Sequence, residues 1–305
     1  MTNRNQNEEN YQDYILRGHY KIIRLMTNNT GFGITYLAED LDLPDNNRCV
    51  IKQLKRQRFS ELSSESFNML DRIIELFYRE SEWLYRLGNH SQIPYLFARF
   101  EENNEHYLVQ EYIDGNDLRG EITPAQPLDE PKTIKLLKEV LEILVFVHDN
   151  NCVHRDIKPE NIIRRREDNK LVLIDFGAVK EVTVSEISSF VSLSESIRRS
   201  PTLIGTPPYS PQEQLNPNKP IVRYFNDIYA VGVIGIEALT GSSDINNWRR
   251  DSNTKVSNEL ARTLDKMTHQ NHEQRYQNAR EALQALKEIE KSMITKFWIW
   301  FTSPI

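Results

Sequence analysis

Asp156, Lys158, Asn161 and Asp175 are the residues of this chain best placed, by type and spacing, to do chemistry. They bracket residues 162–174, which read as a short hairpin: Ile162-Ile163, a polar turn around Asp168-Asn169, then Leu171-Val172-Leu173-Ile174. The strands are apolar, so the hairpin is expected to be buried, with the polar groups at its two ends on one side. Two carboxylates and an amide oxygen are hard donors. They suit Mg²⁺, which takes one or two carboxylates and fills its shell with phosphate oxygens. Asp175 closes the apolar run, so a charge at the edge of a core needs a partner such as a metal ion. Gly177 supplies backbone freedom for a sharp turn just beyond it.

A second charged pair follows from periodicity. Residues 63–87 carry a helical pattern in which Ile73, Phe77, Leu84 and Leu87 share one face. Glu80 falls on that face, while Glu75 and Glu82 lie off it. A carboxylate on an inward apolar stripe is costly unless paired. Lys52, which ends the run Cys49-Val50-Ile51, is the expected partner. The other reading of Glu80 is a solvated carboxylate at the edge of the stripe.

The elements that must position these groups fall into two sets. From Tyr20 to about Tyr112 the text is strand-like, at 20–25, 34–38, 48–52 and 106–110, with the one long helix interrupting it. From about Pro131 the chain turns helical. Asp129 and Pro131 mark a helix start, and Ile134, Leu137, Leu141, Leu144 and His148 follow at helical spacing. Further helical patterns lie at about 227–240, 257–268 and 277–292. A β-rich half followed by an α-rich half predicts an α+β fold of two lobes, with a cleft as the usual place for a ligand.

The text Val153-His154-Arg155-Asp156-Ile157-Lys158-Pro159-Glu160-Asn161, followed by Asp175-Phe176-Gly177, resembles the catalytic loop and metal-binding triplet of protein kinases. The spacing fits as well as the letters. The resemblance implies a bilobal protein-kinase-like fold with a small β-rich N-lobe and a larger helical C-lobe. It implies that Asp156 orients the acceptor hydroxyl and takes its proton, that Lys158 neutralises the transferring phosphoryl group, and that Asn161 and Asp175 hold Mg²⁺. Lys158 is the serine/threonine-type residue. Val50-Ile51-Lys52 is similar to the strand whose lysine pairs with a helix glutamate, so Lys52 and Glu80 would hold the α- and β-phosphates of ATP. The strand 108–113 resembles the hinge that grips adenine through backbone groups of Glu111 and Ile113, with Gln110 as gatekeeper and Asp117 placed for the ribose. Gly205-Thr206-Pro207-Pro208-Tyr209 through Gln214 resembles the segment that cradles the substrate peptide. Thr206 would there contact Asp156 and Lys158, and Glu213 would pair with Arg275. Asp227 matches the aspartate that braces the catalytic loop, a role compatible with that of a plain N-cap.

The resemblance runs from about Tyr20 to Leu286 and looks most like bacterial kinases, especially cyanobacterial ones, many of which append transmembrane or repeat domains. It weakens at one place. The phosphate-covering loop reads Asn28-Asn29-Thr30-Gly31-Phe32-Gly33, where the family has glycines at positions 28 and 30 as well as 33. Thr30, being β-branched, would crowd the phosphates or stiffen the loop. This departure favours the alternative function, a pseudokinase acting as a nucleotide-binding scaffold. Every charged catalytic position survives, which favours an active enzyme.

Residues 185–202 are serine-rich, and two readings stand: a flexible polar loop, or an autophosphorylation site whose phosphate would find Arg155. The aromatic tail Phe297-Trp298-Ile299-Trp300-Phe301 is too short to cross a membrane and would pack on the large lobe, lie at a membrane surface or meet a partner. The expected layout is a disordered lead-in at 1–15, an N-lobe at 16–113, a C-lobe at 114–290 and the tail at 291–305.

Composition limits the rest. The 305 residues carry a net charge of −6, which argues against a chain basic enough overall to be a nucleic-acid binder; Arg164-Arg165-Arg166 reads as a solvated hairpin tip or a local basic patch. Cys49 and Cys152 both lie in apolar runs and predict buried thiols in a reducing cytoplasm, not a disulfide. No apolar run approaches the roughly 20 residues that span a bilayer. The sequence therefore predicts a cytoplasmic serine/threonine protein kinase that uses ATP and Mg²⁺ on Ser/Thr hydroxyls of protein substrates.

Overall fold

The structure, a computed structural model, describes residues 14–30, 33–54, 66–181, 205–216, 220–250 and 256–302, without side chains at 28–30, 46, 66–73, 180–181, 250 and 296–302. Gly31, Phe32, the serine-rich loop 185–202 and most of the lead-in 1–15 lie outside the described residues, as do the side chains of Asn28, Thr30 and the aromatic tail. The chain divides into two compact units, Met1–Ile113 and Asp114–Ile305.

The first unit is an antiparallel six-stranded sheet with one helix. Its strands are β1 (Ile15–Leu16), β2 (Tyr20–Thr30), β3 (Gly33–Asp40), β4 (Arg48–Leu54), β5 (Leu96–Glu102) and β6 (Glu105–Glu111), in the order β1-β2-β3-β4-β6-β5. Strand alternation divides the work between the two faces. Cys49 and Ile51 of β4 join Tyr20, Ile22, Tyr36, Ala38, Phe100, Tyr107 and Val109 in one core. Val50 and Lys52 therefore point to the other face, as do their β6 partners Gln110 and Leu108. Helix α1 (Ser66–Leu87) packs against β5 and β6. Leu84 and Leu87 are fully buried, each contributing about 1.5–3 kcal/mol of apolar burial. Phe77 is half-buried on the same side, and the side chain of Ile73 is outside the described set. Sequence periodicity did not single out β1 or β5. Strand β5, Leu-Phe-Ala-Arg-Phe-Glu-Glu, does alternate, but Phe97 faces outward at 45% exposure.

The second unit is mostly helical. Helix α2 (Glu130–Asp149) starts where Asp129 and Pro131 predict, with the Asp129 carboxylate accepting from Lys132 N–H at 2.9 Å. After β8 (Cys152–Val153) come the hairpin strands β9 (Ile162–Arg165) and β10 (Leu171–Leu173). Strand β10 is fully buried, and β9 also pairs with β7 (Gly115–Asp117). The short β11 (Lys180–Glu181) pairs with β8. One-turn helix α3 (Gln212–Leu215), α4 (Tyr224–Thr240), α5 (Asn258–Met267) and α6 (Ala279–Thr302) complete the unit. The core is α4, nearly all buried, packed on α2 and α5, with α6 lying along α2. Helix α6 runs unbroken through residues 291–302, so the tail is continuous in backbone with the last helix. Among the described residues no helix is long and apolar enough to cross a membrane.

Candidate active site

In the first unit, β4 and α1 bring together the pair expected from periodicity. Lys52 Nζ donates to Glu80 Oε1 at 2.5 Å, and the two side chains are only 17% and 5% exposed. The alternative reading, a solvated Glu80, is excluded. Glu75 and Glu82 do face solvent, pairing loosely with Arg79 and Arg99. Gln110 shares the Lys52 face and is buried, yet its Oε1 finds no hydrogen-bond partner among the described residues. A buried amide oxygen left in that state is unusual and marks a place for an outside donor. Glu111 ends β6, its N–H bonded to Tyr95 O at 2.9 Å, and Ile113 follows, buried. Gly33 opens β3 opposite Thr30.

In the second unit, the loop after β8 gathers Asp156, Lys158, Asn161 and Thr206. Asp156 Oδ2 accepts from Lys158 Nζ at 2.6 Å and from Asn161 Nδ2 at 3.0 Å, and Oδ1 accepts from Thr206 Oγ1 at 2.8 Å. Lys158 Nζ also donates to Thr206 Oγ1 at 3.0 Å. Asn161 spends its amide N–H groups on Asp156, including the backbone oxygen at 2.8 Å, which leaves its carbonyl oxygen as the acceptor. Asn161 O in turn accepts from Ile174 N–H at 2.9 Å, tying the start of the hairpin to the residue before Asp175. Asp175 adopts the left-handed conformation, φ 66°, ψ 73°, a strained state of the kind that functional sites retain, at about 1–3 kcal/mol. An amide oxygen and a carboxylate, with few ligands from the protein, fit Mg²⁺ that completes its shell with phosphate oxygens. Asp117 lies in this unit, exposed, accepting from Gly120 N–H at 3.3 Å.

The loop is held from beneath by one carboxylate. Asp227, in the first turn of α4 and 1% exposed, accepts from His154 N–H (2.9 Å), Arg155 N–H (2.9 Å) and His148 Nε2 (3.1 Å). It braces the loop and is not the N-cap; that position is Arg223, whose N–H bonds Asn226 Oδ1. His148, which the spacing marks only as a member of an apolar stripe, accepts Ala279 N–H at Nδ1 and therefore donates from Nε2. His154 is fully buried. Its ring meets Phe176 edge-on at 4.9 Å and its Nε2 bonds Ile174 O at 3.1 Å. Burial, against the pull of Asp227, holds its imidazole below the usual histidine range, so it stays neutral. Gln214 Nε2 donates to Arg155 O at 2.8 Å, a contact with no separate signal in the sequence. Gly205 opens the segment at φ +124°, where a Cβ would stand 2.2 Å from Ser210 Oγ. Glu213 bonds Arg275 at 2.6 Å, as the resemblance implies.

The protein kinase domain family matches residues 31–297, most of the chain. The chain belongs to the protein kinase family. Among curated relatives of this kinase chain, serine/threonine-protein kinase B of Synechocystis sp. is 38% identical over 282 residues, covering 89% of this chain and 47% of the relative. Serine/threonine-protein kinase PknA of Nostoc sp. is 37% identical over 287 residues, covering 90% and 48%. Serine/threonine-protein kinase PrkC of Bacillus subtilis is 29% identical over 226 residues, covering 74% and 31%. The cyanobacterial likeness in the sequence is thus borne out, as is the α+β kinase fold. The chain spans about half the length of these cyanobacterial relatives.

Proposed function

We propose that this chain is a serine/threonine protein kinase that moves the γ-phosphoryl group of ATP to Ser/Thr hydroxyls of proteins. The observation that carries the reading is the set of donors around Asp156: Lys158, Asn161 and Thr206 fix both oxygens of one carboxylate. Such a carboxylate can align an acceptor hydroxyl and take its proton as the oxygen becomes a nucleophile. Lys158, beside it, offsets negative charge gathering on the transferring group. Asn161 and Asp175 would hold Mg²⁺, whose charge neutralises the phosphate oxygens. Lys52, aligned by Glu80, would take the α- and β-phosphates. Gln110, Glu111, Ile113 and Asp117 would receive adenine and ribose, and the loop Asn28–Thr30–Gly31–Phe32–Gly33 would cover the phosphates. Residues 185–202 are a proposed autophosphorylation segment, checked by peptide mapping after incubation with ATP. Two free, buried cysteines suit a cytoplasmic setting.

The test is transfer of ³²P from ATP–Mg²⁺ to the chain itself and to a generic protein, beside Asp156→Ala. The expected result is transfer by the wild type, none by the variant, and ATP binding by both, since Asp156 serves the acceptor. Equal transfer by the two proteins would remove Asp156 from its role.

A further inference from the structure

Asp40 and Asp42 set two negative charges at one end of β3, against a single histidine. His19 lies in the turn between β1 and β2, and Asp40 is the last residue of β3. The register that sets Tyr20 opposite Asp40 brings these ends together, and Leu41 N–H closes on His19 O at 2.9 Å. His19 Nδ1 donates to Asp40 Oδ1 at 2.8 Å and stands 3.6 Å from Asp42 Oδ2. One donor atom from each of the three side chains lies within 4.8 Å of the other two.

The charge of this group is out of balance. The Asp40 side chain is only 10% exposed, that of His19 23% and that of Asp42 77%. Among the described residues neither carboxylate has a Lys or Arg partner; both face the imidazole alone. A neutral imidazole brings a hydrogen bond and no charge. Both hydrogen bonds of the Asp40 carboxylate fall on Oδ1, from His19 and from Asp42 N–H at 3.1 Å, which leaves Oδ2 open among the described residues. The uncompensated charge reaches the core: after burial itself, it is what pushes the Cys49 thiol and the Tyr20 hydroxyl up. A carboxylate so placed is costly without a cation.

We propose that His19, Asp40 and Asp42 form a Zn²⁺-type metal site that clasps the β1–β2 turn to the end of β3. An imidazole nitrogen with two carboxylate oxygens suits a borderline divalent ion, whereas Mg²⁺ prefers oxygen ligands and retained water. Zn²⁺ takes nitrogen and oxygen ligands at about 2.0–2.2 Å, which puts neighbouring ligands of a tetrahedral site about 3.3–3.6 Å apart. The separations of 2.8 and 3.6 Å come close to that spacing. Binding would replace the His19–Asp40 hydrogen bond, with the imidazole proton moving from Nδ1 to Nε2. Three protein ligands leave the fourth position to water. The site lies within the first unit and does not rest on the kinase reading.

The test titrates the chelator-stripped full chain with Zn²⁺ by calorimetry, in excess Mg²⁺ so that oxygen-only sites are filled. Asp42→Asn and His19→Ala run beside it. The wild type should take up Zn²⁺ saturably, and each variant should bind at least about tenfold more weakly, the loss typical even of an outer-shell partner. The second measurement follows the imidazole signals of histidine-labelled protein by NMR. Zn²⁺ should shift the signal that His19→Ala removes, in the wild type and not in Asp42→Asn at the same concentration. If His19→Ala does not fold, His19→Gln, which keeps a donor for Asp40, takes its place in both measurements. Equal affinity in the wild type and both variants, or no uptake by the wild type, would overturn the site. Weakening confined to one of the two variants would overturn the three-ligand arrangement.

Discussion

Gln110 and Cys49 are both buried polar residues of the first unit, with opposite consequences. The Gln110 oxygen lacks a donor among the described residues. Replacing a buried group of that kind with an apolar one of similar shape removes a desolvation cost of roughly 1–2 kcal/mol. Gln110→Leu is therefore expected to raise the urea midpoint of the nucleotide-free protein while weakening ATP binding in a titration. A variant less stable than wild type would show that the oxygen is satisfied. Cys49 is fully buried, and burial with the Asp40 charge nearby pushes its thiol up to about 12 from 9.0. In the folded protein it stays protonated where the unfolded chain ionises. Its contribution to stability is then complete below pH 9 and lost as pH climbs from 9 toward 12. Ellman's reagent should leave Cys49 untouched at pH 8 until denaturant is added; rapid reaction of the native protein would contradict its burial.

At the scale of elements, the pairing of β4 with α1 makes a sharper prediction than either alone. Glu80→Gln takes the charge from a pair that is almost wholly out of solvent, and should cost about 2–3 kcal/mol in chemical unfolding. Glu82→Gln, two residues away on the wet side of the same helix, should cost less than about 0.5 kcal/mol. Equal costs would mean that helix periodicity is a poor guide here. It was a good one for the elements that repeat: α2 and its Asp129 cap, the buried hairpin β9–β10, and the inward Glu80 can all be read from spacing. Strand β5 hides because its outward face carries Phe97 in place of a polar residue. The Arg119–Glu237 contact hides for a different reason. Its partners stand 118 residues apart, and no local spacing reports a contact that only the folded chain creates. Motif letters supplied Asp156, Lys158, Asn161 and Asp175, yet the contacts of Gln214 with Arg155 O and of His148 with Asp227 join residues 59 and 79 positions apart and exist only in the folded chain.

For the molecule as a whole, each compact unit carries its own set of proposed functional groups, with Lys52, Glu80 and Gln110 on one and Asp156, Asn161 and Asp175 on the other. In the second unit one side chain ties distant parts together. Asp227 accepts the amides of His154 and Arg155, and through His148 it reaches the first amide of α6. Surface loops ordinarily give up their amide protons to heavy water within seconds to minutes, while helix interiors hold theirs until global opening. Here the ranking inverts. The His154 and Arg155 amides, though outside any helix, should exchange as slowly as the middle of α4 and in step with Ala279. In Asp227→Asn, which keeps only one acceptor oxygen, at least one of the two loop amides should exchange much faster while the interior of α2 stays protected. The loop that carries Asp156 would then count, by the measure of solvent exchange, as part of the core.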